Sequence, residues 1–225
     1  MPVTFSENRI SVLRLALLPG LITLAVTILR LVGELRHWSK AFFNPEAGGP
    51  WSIVGITWLP VIFGIYFAVK LVRANEASDS LLRAGAIAIL GWIILIAGQM
   101  VARRIVFPHY GFKATLVFVW TAWTLAGLIQ FLGWPALSRV LLAYGFAARV
   151  PVTLVMFLAF QGRWGTHYDA LPPGWTSAGL WSDFLWLGFF PQLTLWVGYT
   201  IVAGMLFGSV AGAIMRAAQK SPQTA

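Results

Sequence analysis

The chain has 225 residues, of which 59% are apolar and only 10% charged, with a net charge of +9 and no cysteine. A soluble domain carries about a quarter charged residues, so this much apolar surface calls for lipid as the solvent. The missing cysteines exclude disulfides, thiolate metal sites and cysteine nucleophiles. The positive charge does not point to nucleic acid, because the basic residues stand singly or in pairs at the ends of apolar runs, where phospholipid headgroups account for them.

Arg9 and Arg14 precede the first apolar run, as in a secretory signal. Pro19-Gly20 interrupts that run, and Gly33-Glu34-Leu35 beyond it offers no small-x-small cleavage site, so the segment reads as a retained span. A helix needs about 20 mostly apolar residues to cross ~30 Å of hydrocarbon. Six stretches qualify in chain order: Leu15–Val32, Trp51–Val69, Ala84–Ala102, Ala114–Trp134, Val140–Phe160 and Phe190–Met215. Trp181–Leu187 is either a short interfacial helix or an early part of the last span. Membrane strands are excluded, since these runs are apolar on every face rather than alternating.

The expected fold is an all-α integral membrane bundle of about six transmembrane helices. They form three sequential hairpins, with kinks at Pro19, Pro60, Pro151 and Pro191. Residues 1–217 make a single membrane domain and 218–225 a disordered tail. The first and last hairpins share a loose pattern. Pro19, Arg30, Arg36-His37-Trp38 and Gly49-Pro50-Trp51 in one parallel Pro151, Arg163, Thr166-His167-Tyr168 and Pro173-Gly174-Trp175 in the other, which is consistent with a duplicated unit or with ordinary interfacial composition.

Orientation is weakly encoded. With the N-terminus inside, eight basic residues fall on that side (Arg9, Arg14, Lys70, Arg73, Arg83, Arg139, Arg216, Lys220) and seven on the other (Arg30, Arg36, Lys40, Arg103, Arg104, Lys113, Arg163). The long Trp- and Pro-rich loops favour both termini inside, in a bacterial inner membrane.

Three sets of residues are candidates for function. His37, His109 and His167 fall in the three hairpin turns on one side of the membrane, with Glu34 and Asp169 nearby. Imidazole and carboxylate together can hold zinc, copper or iron, but no pair here has ligand spacing such as HxxxH or HExxH. Arg149 lies near mid-membrane, nine apolar residues into its run. A charge there costs at least ~2.5–3.5 kcal/mol on insertion scales and tends to face a cavity or a partner. Pro151 frees the carbonyl of Ala147, and the guanidinium is expected to reach such a carbonyl or Thr153, or else to bind an anionic solute. Gly204, Gly208 and Gly212 make a GxxxGxxxG row on one face of the last span, a pattern that lets another helix approach closely, whether a neighbour in the chain or a second subunit.

Paired intramembrane carboxylates, an arginine ladder, GxGxxG and P-loop motifs and HExxH are all absent, and Ser209 has no intramembrane histidine as base. No catalytic residue is assigned and no cofactor is expected. The leading expectation is a non-enzymatic helical subunit or homo-oligomer packing through the glycine row, with lipid and a membrane protein or second copy as partners. Two alternatives stand beside it. One is a small transporter or channel for an anionic or amphipathic solute, using Arg149 and Thr153. The other is a metal- or haem-dependent membrane enzyme using the three histidines.

Overall fold

The computed structural model describes residues 11–48 and 52–220. Among them the protein is all-helical, without a strand: α1 (Val12–Leu35), α2 (Leu59–Arg73), α3 (Leu81–Val101), α4 (Phe107–Leu128), α5 (Pro135–Gly162), the short α6 (Leu180–Asp183) and α7 (Phe190–Leu193), and α8 (Leu195–Lys220). A π-helical turn, Ala102–Val106, joins α3 to α4, and another, Phe184–Phe189, joins α6 to α7.

Local chemistry sets the helix ends. Ser11 and Ser80 cap α1 and α3 by accepting the backbone N–H of Arg14 and of Arg83 through their hydroxyls. Pro135 opens α5, where its missing N–H costs nothing. His37 (φ 53°) and Arg163 (φ 51°) adopt the left-handed conformation that closes α1 and α5.

Among the described residues four helical runs are long and apolar enough to cross a membrane: Val12–Leu35, Leu81–Leu132, Pro135–Gly162 and Leu180–Gln219. The second of these holds two of the predicted spans. The chain reverses at Gly111, whose φ of 77° and ψ of −170° are open to glycine and strained for other residues. Beyond it, Gly98 faces Ala122, Gly91 faces Gln130 and Gly133 faces Ala84, so α3 and α4 run antiparallel. The predicted span Trp51–Val69 is different. Trp51 lies outside the described residues, residues 52–58 are not helical, and α2 has 15 residues, which cover only ~22 Å. Helix length alone therefore does not give six crossings. Trp181–Leu187 belongs to the last helical run rather than to a separate interfacial helix.

One proline expectation needs correction. Pro19 and Pro151 sit inside continuous helices and Pro191 lies within the last helical run, directly after a π turn, but Pro60 occupies the first turn of α2, where it starts a helix rather than kinks one. Helix α8 continues through Lys220, into the segment expected to be a tail; residues 221–225 lie outside the described residues.

The distribution of polarity is that of a protein dissolved in lipid. Leu13, Leu17, Ile93, Ile96, Leu154 and Ile214 are all more than half exposed on the outside, while Thr23, Thr27, Gln130, Ser138, Arg149 and Thr200 are buried. The buried hydroxyls find partners inside the bundle. Thr23 Oγ1 donates to Pro19 O at 2.8 Å and lies 2.9 Å from the Tyr144 hydroxyl, and Thr27 Oγ1 donates to Thr23 O at 2.9 Å. Helix α8 is the hub, packed by α2, α3, α4 and α5, while α1 packs on α5. Phe67, Leu71, Leu137, Leu141, Tyr144, Ile201 and Met205 fill the space between them.

The glycine row is used here, within the chain. A side chain at Gly204 would strike Leu141, one at Gly208 would meet the Gly64 carbonyl, Leu137 and Ala68, and one at Gly212 would meet Trp134 and Leu81. Small residues thus allow α2 and α5 to approach α8 closely. The face expected to receive a second subunit is covered by the protein's own helices.

Candidate functional site

A cavity of about 340 Å³ lies between α1, α5, the loop after α5, and the broken start of the last helical run. Its wall includes Arg30, Ile56, Arg149, Val152, Met156, His167, Tyr168, Pro172, Pro173, Leu187, Gln192 and Trp196. That size suits a small ligand, and the mix of apolar wall with a few convergent polar groups is typical of binding sites.

Arg149 is its deepest charge, only 4% exposed. Its Nη1 donates to Gln192 Oε1 at 3.2 Å, and its guanidinium carbon stands 4.7 Å from the centre of the Trp196 ring. The ring face supplies a cation–π contact, which strengthens as water is excluded. Its Nε is buried without a partner. Among the described residues no carboxylate lies within ion-pair distance of Arg149. The surrounding structure supplies neutral dipoles and an aromatic face to a full positive charge.

The last helical run is built to present those groups. Pro191 lacks the N–H a regular helix would require, and the chain accommodates it by widening into the π turn Phe184–Phe189. A second break follows at Thr194 (φ −110°, ψ −72°). Between and just beyond these irregularities stand Gln192 and Trp196. Gln192 is further fixed by donating from Nε2 to Met156 Sδ at 3.4 Å.

The predicted reach of Arg149 is thus corrected. Its guanidinium turns to Gln192 and Trp196, while Thr153 Oγ1 donates to the Arg149 backbone carbonyl at 2.8 Å, one turn back. Asp183, the nearest acidic residue of the next span by sequence, is engaged elsewhere. It accepts from Trp175 Nε1 at 2.8 Å and from Ser177 Oγ at 2.5 Å, tying down the loop that carries Pro172 and Pro173.

At the other end of the cavity stands a second polar group. Arg30 Nε pairs with Glu34 Oε1 at 2.9 Å, and Arg30 Nη2 donates to Asn44 O at 3.2 Å. Glu34 has a fully buried side chain, and its Oε2 accepts the His167 backbone N–H at 2.8 Å. The His167 ring brings Nδ1 to 2.6 Å from Glu34 Oε1. That approach is close but poorly directed for a hydrogen bond, and it becomes an ion pair only when the ring is protonated. Tyr168 donates to Thr27 O at 3.2 Å and lies within electrostatic reach of both Arg30 and Arg149. Burial is the largest influence on the His167 imidazole and holds it below its ordinary 6.5, with Arg30 pressing the same way; the Glu34 carboxylate opposes both and does not prevail.

The structure does not gather the three histidines. His37 is exposed at the end of α1, and His109 is exposed at the α3–α4 turn with Nδ1 2.7 Å from Ile105 O. Asp169 accepts the N–H groups of Gly165 and Thr166 in its own loop. Among the described residues no three His, Asp or Glu side chains come together as metal ligands. Of the five predicted ligands only Glu34 and His167 meet. Sequence reasoning missed Gln192, Trp196, Arg30 and Tyr168. A glutamine after Pro191 in an otherwise apolar run was one available signal, and the i, i+4 spacing of Arg30 and Glu34 was another.

No protein-family model matches the chain, and neither does any curated protein or solved structure.

Proposed function

We propose that this integral membrane protein is a non-enzymatic carrier that binds the anionic group of a small amphipathic solute at Arg149. The observation that carries this reading is a buried arginine with no carboxylate partner among the described residues, lining a cavity with both polar and apolar walls. An intramembrane charge is retained at a cost of several kcal/mol where it serves a pathway or a ligand. A monoanion would supply the missing counter-charge, and the side chains of Val152, Met156 and Leu187 would receive an alkyl portion. Six crossings suit the reading. The antiparallel α3–α4 pair would count as two, and α2 with the segment before it as one. Both termini would then share one side, with the Glu34–His167 end opposite.

The test is a comparison of two ligands with the same chain. Octane-1-sulfonate carries a permanent negative charge and octan-1-ol carries none. In lipid nanodiscs the protein is expected to bind the sulfonate at least tenfold more tightly than the alcohol. Equal affinity would mean that the cavity does not recognise charge, and the reading would fall.

A further inference from the structure

We propose that His167 forms a second, proton-dependent subsite of this cavity, so that an anion seated at Arg149 is taken up together with one proton. The inference rests on the Arg149 reading and adds the coupled ion.

Three observations carry it. His167 and Arg149 line the same cavity, and Tyr168 lies within electrostatic reach of both Arg149 and Arg30. Glu34, its side chain fully buried, holds His167 through the backbone N–H at 2.8 Å and stands 2.6 Å from ring Nδ1. With Nδ1 against Glu34, Nε2 is the ring nitrogen left for the cavity. The charged groups around the ring come from three elements: Arg30 and Glu34 from α1, Asp169 and the titratable Tyr168 from its own loop, and Arg149 from α5 across the cavity.

The charge balance gives the coupling. Before an anion arrives, Glu34 pairs with Arg30 and Asp169 is held by the Gly165 and Thr166 N–H groups of its own loop, so among the described residues Arg149 has no carboxylate at ion-pair distance. A proton on His167 would add a further positive charge beside Arg30 in a poorly solvated space, and burial and Arg30 together disfavour it. An arriving monoanion removes the existing excess. The imidazole then takes a proton from water at Nε2, remains held by Glu34 at Nδ1, and can donate from Nε2 to the anion. By linkage, a proton taken up with the anion makes anion binding tighter as pH falls, by up to about tenfold per pH unit. No covalent bond changes.

The experiment uses octane-1-sulfonate, whose own charge is constant across the range. Its affinity for the full-length protein in nanodiscs is measured at pH 8.5 and pH 6.0, and proton uptake on binding is read with an indicator dye in weak buffer near pH 6.5. The expected result is binding at least fivefold tighter at pH 6.0, with up to one proton taken up per anion. In His167→Gln the pH difference is expected to shrink below twofold. If that variant does not fold, the wild-type dye measurement still decides. Anion binding without proton uptake overturns the role of His167 and leaves the Arg149 reading standing. Absence of binding at both pH values overturns the Arg149 reading and this inference with it.

Discussion

Arg149 and Gln192, 43 residues apart in the chain, meet inside the bundle through Nη1 and Oε1 at 3.2 Å. The pairing depends on two helices that each break a rule. Pro151 stands two residues beyond Arg149 inside α5, and Pro191 precedes Gln192. A charge met by an amide instead of a carboxylate keeps its full positive value, and that value is what an anion would recognise.

Gln192→Leu tests this pairing. The substitution leaves a buried guanidinium without its polar partner, which costs roughly 1–3 kcal/mol. The thermal midpoint in mild detergent is expected to fall by several degrees. An unchanged midpoint would show that the Trp196 face and the remaining contacts suffice to hold the charge.

The glycine row makes a second expectation. Gly208→Leu would drive a side chain into the Gly64 carbonyl, Leu137 and Ala68. Overpacking of this kind costs typically 1–3 kcal/mol, and backbone contact raises the figure. The expected outcome is loss of folded protein, read by size-exclusion chromatography in detergent. A stable variant with altered subunit number would instead return the row to a role between subunits.

His167 gives a pH dependence of stability with a definite sign. Burial lowers its folded-state pKa below the ordinary 6.5. Between the folded value and 6.5 the unfolded chain binds more protons than the folded one, so stability rises with pH through that window. The contribution is complete above about 6.5 and is lost as pH falls below it. Chemical denaturation followed from pH 8 to pH 5 is expected to show this decline, and His167→Gln to flatten it.

The chain count is open to labelling, because the protein has no cysteine of its own. Tyr110, 73% exposed, sits beside the Gly111 reversal. Tyr110→Cys and Arg163→Cys are expected to react with a membrane-impermeant maleimide from one side, and Arg139→Cys from the other. Labelling of Tyr110→Cys and Arg139→Cys from the same side would rule out six crossings.

Much of the helical architecture was legible in the sequence, because lipid demands long apolar runs and backbone groups satisfied within the helix. Arg149 was legible too, as a single charge deep in such a run. What escaped was tertiary. The partners of Arg149 come from a π turn and a second break around Pro191, which hydropathy does not register. The shortness of α2 escaped because Trp51–Trp58 is as apolar as a helix yet runs as bends over the described residues from Ser52. The three histidines shared a side on paper, but His37 serves to end α1 in a left-handed turn, and only His167 is drawn inward by Glu34.

The central claim is that Arg149 is the anion-binding charge, and one comparison reaches it most directly. Arg149→Met removes the charge while keeping a long apolar side chain, and removing a buried charge that has no carboxylate partner among the described residues is not expected to unfold the bundle. Octane-1-sulfonate affinity is measured for both proteins in the same nanodiscs, with thermal unfolding confirming that the variant is folded. A loss of tenfold or more, about 1.4 kcal/mol, is the expected result. Equal affinity in a folded Arg149→Met protein would contradict the account.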